Sequence, residues 1–134
     1  MRENAPSPRL RLLFLDDDPE LRRVIGRSFE AKSYEVAVAE ELEEAAALLA
    51  CRPFDAFCTD LSLDRLERFE VLDLIREARA THPELGIVVH TGCDRAEVHA
   101  TCRAIGANAV VLKRGSLEPL HEAVGASLGA RAVA

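Results

Sequence analysis

"LRLLFLDDDPELRR", residues 10–23, sets an apolar run against three consecutive carboxylates, Asp16, Asp17 and Asp18, and then a proline that opens a helical pattern. A strand that ends in acids and turns at once into a helix is the first part of a βα unit. Three adjacent acids repel one another. Two unit charges about 4 Å apart interact by roughly 1 kcal/mol in water and roughly 4 kcal/mol at a near-surface effective dielectric of about 20. Asp18 has a separate role available as the helix N-cap, with Pro19 at the first helical position, where a missing N–H costs nothing. Asp16 and Asp17 then need a reason to sit together.

Outward from this stretch, short apolar runs alternate with longer amphipathic ones. The runs are 12–15, 34–39, 54–59, 86–91 and 109–112; helical candidates cover 19–32, 40–51, roughly 65–80, 94–105 and 116–128. In "LERFEVLDLIREA", Leu66, Phe69, Leu72 and Ile75 recur at helical spacing, and Val71, Leu74 and Ala78 widen the stripe. Asp64 and Glu67 form a capping-box pair just before it, which predicts a helix start near Asp64 or Arg65. Strictly alternating strands and helices predict an α/β, doubly wound parallel sheet covered on both faces. In such sheets a site forms where the carboxyl ends of the strands meet the following loops.

At that edge the sequence places Asp16 and Asp17 after the first strand, Asp60 after the third, Thr91 at the end of the fourth and Lys113 after the fifth. Clustered carboxylates suit a hard divalent cation such as Mg2+, which takes oxygen ligands and combines carboxylates with waters and phosphate oxygens. A metal would answer the repulsion between Asp16 and Asp17. An aspartate can also serve as the nucleophile in phosphoryl transfer, with a cation, an ammonium and a hydroxyl stabilising the transferring group. Each feature is common alone; the ordered set of five is not.

Composition narrows the classes. A net charge of −6 argues against a general nucleic-acid surface, and no apolar stretch is long enough to insert in a membrane. Cys51, Cys58, Cys93 and Cys102 lack zinc-like spacing and read as reduced thiols of a cytoplasmic protein. Residues 1–8 read as a flexible tail, 9–129 as one domain and 130–134 as a second tail, with no effector domain expected after the last helix.

With "LFLDDDPELRR", "FDAFCTDLSLDRLERFEVLDLIRE", "IVVHTG" and "GANAVVLKR", residues 9–129 resemble the receiver domain of bacterial two-component response regulators. The resemblance implies a flavodoxin-like fold of five parallel strands in the order 2-1-3-4-5 with five helices. It implies that Asp60 accepts a phosphoryl group from a sensor histidine kinase or phosphotransfer protein and that Thr91 contacts the phosphoryl oxygens. Lys113 would pair with the phosphoryl group or with Asp60. Asp16, Asp17, Asp60 and the backbone carbonyl of Ser62 would hold Mg2+. Such a protein is a signalling module rather than an enzyme, and its output would run through an unidentified protein partner.

The sequence also departs from the family pattern. The aromatic residue usual three positions before the lysine is Val110, and the proline usual after the lysine is Arg114. A cis bond without proline costs about 2.5–4 kcal/mol, so a trans Lys113–Arg114 bond is expected. The Pro-Gly pair and later Gly of the third loop are replaced by Asp64, Arg65 and Arg68. Valine is too short and too rotamer-restricted to act as a swinging ring. Any phosphorylation signal is therefore expected in the loops around 64–68 and 114–116. Arg65, Arg68, Arg95 and Arg114 read either as solvated charges or as a basic rim that attracts an anion or an acidic partner.

Two readings follow: a phosphorylation-competent single-domain receiver, or a receiver-fold interaction module that acts independently of phosphorylation. A haloacid-dehalogenase-type phosphohydrolase is set aside, because the only acids after Lys113 are Glu118 and Glu122, both in the last helix. A nucleotide-binding enzyme is set aside because no glycine-rich phosphate loop occurs.

Overall fold

The computed structural model describes residues 9–61 and 68–133. Its strands are β1 (Leu10–Leu15), β2 (Tyr34–Ala39), β3 (Ala56–Asp60), β4 (Gly86–Thr91) and β5 (Ala109–Leu112). The helices are α1 (Pro19–Glu30), α2 (Leu42–Cys51), α3 (Arg68–Thr81), α4 (Ala96–Ile105) and α5 (Glu118–Val133). All neighbouring strands run parallel, in the order β2-β1-β3-β4-β5. This is the doubly wound α/β sheet that the alternating pattern predicts.

The period of two along each strand divides the core. Leu13 and Leu15 of β1, Phe57 of β3 and Ile87 and Val89 of β4 pack with α2, α3 and α4. Leu12, Phe14, Ala56, Cys58 and Val88 face the other way, onto Ile25 and Phe29 of α1 and Leu120 and Val124 of α5. Because both faces are covered, the central strands β3 and β4 are buried at every residue, Asp60 and His90 included. Polar groups on those strands must therefore find partners inside the protein or at the sheet edge.

Most element boundaries fall within two residues of the sequence expectation. The last helix runs to Val133, five residues beyond the expected end at 128. The Asp64–Glu67 capping box and the start of the third helix at Asp64 or Arg65 lie outside the described residues, as does Ser62. There is no cis peptide among the described residues, so Lys113–Arg114 is trans as expected.

One side-chain knot fixes the end of the sheet opposite the site. The Arg79 guanidinium of α3 donates to Gly106 O at 2.8 and 3.0 Å, to Pro83 O at 2.8 Å and to Asn108 Oδ1 at 2.9 Å. Asn108 Oδ1 in turn accepts from Ile87 N at 2.8 Å. Gly106 has φ +136°, and a Cβ there would meet Arg79 Cβ at 2.7 Å, so the close approach of the guanidinium stem requires glycine. Arg79→Met is expected to cost about 1–3 kcal/mol, since it strips several carbonyls of a charged donor. Urea unfolding of the variant measures it.

Candidate functional site

The β1–α1 turn is organised by Asp16 and Asp18 dividing their roles. Asp18 Oδ1 accepts from Glu20 N at 3.0 Å and from Leu21 N at 3.3 Å, which makes it the N-cap of α1. Asp16 is fully buried, and its Oδ1 accepts from Asp18 N at 2.9 Å. Arg22, one turn into α1, donates to Asp16 O at 2.8 Å and pairs with Glu40 at 3.3 Å, tying this turn to the end of β2. Asp17 is left half-buried between them at the sheet edge.

Asp16, Asp17 and Asp60 come together. One carboxylate oxygen from each lies within 4.8 Å of the others. Lys113 reaches across from the end of β5, with Nζ 2.9 Å from Asp16 Oδ2 and 3.2 Å from Asp60 Oδ2. Thr91 ends β4, buried. Lys113 thus pairs with Asp60 and, more closely, with Asp16, a contact that is not legible in the sequence. Lys113 N also donates to Thr91 O at 2.8 Å, so the lysine and the threonine are tied through the backbone as well.

The ammonium thus offsets the repulsion that the opening stretch poses. Burial draws the Lys113 pKa down, but the hydrogen bond and charge of Asp16 and the charge of Asp60 outweigh it, and the net direction is upward. Lys113 stays charged at neutral pH. Asp16 Oδ2 is buried and meets the Lys113 ammonium at 2.9 Å, with no second hydrogen-bond donor among the described residues. Three oxygen donors with one poorly satisfied buried atom among them fit a hard divalent cation, which favours carboxylate oxygens. Asp16, Asp17 and Asp60 are the residues that could hold it.

Two groups near the site have no role there in the sequence expectation. His90 precedes Thr91 and lies opposite Asp60 in the strand register. It is 4% exposed, and its Nδ1 has no hydrogen-bond partner among the described residues. Burial first, and the Lys113 charge second, lower its pKa to about 4. The available signal was a polar residue inside the apolar run "GIVVHT". The second is His99 of α4, whose Nε2 lies 2.6 Å from Cys93 O in the β4–α4 loop.

Two of the four rim arginines are paired. Arg95 pairs with Glu97 at 2.5 Å and Arg114 with Asp94 at 3.7 Å. Both pairs are well exposed and contribute little to stability, but they reduce the free positive charge at the edge. Arg65 and the side chain of Arg68 lie outside the described residues. Val110 is half-buried against the cluster beneath α3 and α4, beside Val89 in register. Cys58, buried below the site, has its thiol pKa pushed up by burial and then by Asp16, which keeps it unreactive. The four cysteines are free thiols.

Residues 12–125 match the family model described as the response regulator receiver domain. The chain belongs to the response regulator receiver family. Among its curated relatives is the response regulator MprA of Mycolicibacterium vanbaalenii, 32% identical over 111 residues, which are 83% of this chain and 47% of that protein. The chain therefore spans about half the length of the curated relatives it matches.

Solved structures share the receiver fold. A CheY-like receiver domain protein of Methanospirillum hungatei superposes with TM-score 0.84 at 24% identity, covering 94% of this chain and 98% of that one. The response regulator TrrA of Thermotoga maritima, solved in complex with Mg2+ and BeF, gives TM-score 0.77 at 24% identity, covering 89% and 99%. A Burkholderia pseudomallei response regulator with a phosphorylated aspartic acid and a calcium ion gives 0.79 at 23%, covering 92% and 72%. Receivers of this family are signalling modules of two-component systems. No helix among the described residues is long and apolar enough to cross a membrane.

Proposed function

We propose that this receiver accepts a phosphoryl group on Asp60 from a histidine kinase or phosphotransfer protein and signals through contact with another protein. The observation that carries the reading is the convergence of Asp16, Asp17 and Asp60 around the Lys113 ammonium at the carboxyl edge of the sheet. An Asp60 carboxylate oxygen would attack the donor phosphorus; the new P–O bond forms as the P–N bond to the donor imidazole breaks. Lys113 is held where its charge can meet the oxygens of the transferring group. The Thr91 hydroxyl, which accepts from Cys93 N at 3.1 Å, retains its own proton to donate to one of those oxygens. Bound magnesium, held by Asp17, Asp60, Asp16 and the Ser62 carbonyl, would neutralise charge developing there.

The relative solved with Mg2+ and BeF and the one solved with a phosphorylated aspartate support carrying this chemistry over. The domain is read as spanning residues 9–129 and working in the cytoplasm. A second reading, an interaction module indifferent to phosphorylation, is favoured by Val110 and Arg114 standing where the family carries an aromatic residue and a proline. Phosphotransfer from a labelled phosphohistidine donor separates the two: label is expected to reach this chain in magnesium and to vanish with chelator. Asp17→Ala is expected to weaken magnesium binding by about tenfold or more, read by titration calorimetry, because it removes one of few charged ligands. Magnesium binding unaffected by that substitution would contradict the ligand assignment.

A further inference from the structure

The Cys93 backbone is held on both sides of its Cα. Its N–H donates to Thr91 Oγ1 at 3.1 Å, and its carbonyl oxygen lies 2.6 Å from Nε2 of His99 on the first turns of α4. A carbonyl only accepts, so Nε2 carries the proton and donates. Thr91 Oγ1, in a buried residue, therefore has one lone pair committed to Cys93 N–H, which orients the hydroxyl and leaves its proton for another acceptor. α4 is anchored beneath by Val98 and Cys102, both buried, and its N-cap residue Arg95 supplies no side-chain cap. The imidazole is thus a specific polar link between the start of this helix and the loop that carries the Thr91 partner. The adjacent Arg114–Asp94 pair ties the same loop to the segment after Lys113.

We infer that His99 is a positioning residue: through the backbone of Cys93 it sets the orientation of the Thr91 hydroxyl, and it transmits movement of that hydroxyl to α4. This rests on the proposed role of Asp60 as phosphoacceptor. When Thr91 turns its proton toward a phosphoryl oxygen on Asp60, the Cys93 amide follows its acceptor, and the Cys93 carbonyl shifts against His99. The device replaces a ring swing at position 110, where valine offers little area to move. It also works in reverse: an equilibrium coupling is reciprocal, so whatever fixes α4 fixes Thr91.

The test compares the native chain with His99→Ala and His99→Gln, the glutamine restoring an N–H donor near the same place. In the unmodified protein, the Nε2 proton of His99 should be visible by nitrogen-correlated NMR in the native chain. It should exchange faster in Thr91→Ala, and the Cys93 amide should exchange faster in His99→Ala. With acetyl phosphate and magnesium, His99→Ala should lower the maximal rate of Asp60 phosphorylation by about fivefold, the low end of ordinary couplings. The acetyl phosphate concentration giving half that rate should hold steady, and His99→Gln should recover most of the loss. A merely structural histidine would lower the melting temperature without moving that rate. An Nε2 signal indifferent to Thr91→Ala overturns the inference whether or not Asp60 is phosphorylated, and so does a native phosphorylation rate in His99→Ala. Failure of the native chain to take up phosphoryl groups overturns the proposed function instead, and the two exchange measurements still decide the Thr91–His99 link.

Discussion

Lys113→Met should destabilise the metal-free protein by about 2–4 kcal/mol and tighten its magnesium binding by about tenfold or more. In the structure one ammonium, 24% exposed, serves two carboxylates whose side chains are 0% and 7% exposed. Removing one partner of a buried pair costs about 3–5 kcal/mol, because the remaining charge is left uncompensated. The partial exposure of Lys113 lowers that figure. The same lysine competes with any cation for Asp16 and Asp60, so methionine removes a positive charge from the neighbourhood of the metal. The two effects are linked. Magnesium stabilises a folded state that binds it in proportion to the logarithm of its concentration over Kd. The variant should thus recover more stability than the native chain as magnesium is added. Urea unfolding in chelator and in millimolar magnesium measures both. Equal stability of the two proteins in chelator would show that Lys113 does not hold the carboxylates together.

The second large effect is acid sensitivity from His90. Its pKa falls from the ordinary 6.5 to about 4, through burial and then the nearby Lys113 charge. A lowered histidine pKa means that the unfolded chain takes up this proton before the folded one. Stability from the neutral ring is complete above about pH 6.5 and is lost as pH falls toward 4. At about 1.4 kcal/mol per pH unit the loss reaches about 3 kcal/mol. His90→Val, which keeps a β-branched strand residue, should therefore show a shallower fall in unfolding free energy between pH 6.5 and 4. It should also be spared the orphaned Nδ1. Parallel curves for the two proteins across that window would mean that His90 is already partnered or protonated in the fold.

The sequence was most readable where local pattern and tertiary role coincide. β1 and α1 could be placed from an apolar run, an N-cap aspartate and a proline at the first helical position, because each of these acts within a few residues. Five site residues could be named because the carboxyl edge of a parallel sheet is a place that topology predicts. Contacts between distant segments were not readable. That Lys113 spans Asp16 and Asp60 and that Arg114 finds Asp94 depend on how loops fold over the edge. His90 was legible as a polar residue in an apolar run but not as a buried one lying opposite Asp60, since that follows from strand register. The end of α5 was set too early because the small residues after 128 carry no strong helical stripe, although alanine favours the helix.

The pocket is arranged so that a carboxylate, an ammonium and a hydroxyl share one edge, and its use stands or falls on Asp60. Incubation of the purified chain with acetyl phosphate and magnesium, followed by intact-mass spectrometry, asks this directly. One phosphoryl-sized mass gain is expected in the native chain, lost with chelator and absent from Asp60→Asn. The same gain persisting in Asp60→Asn, or none in the native chain with magnesium present, would contradict it.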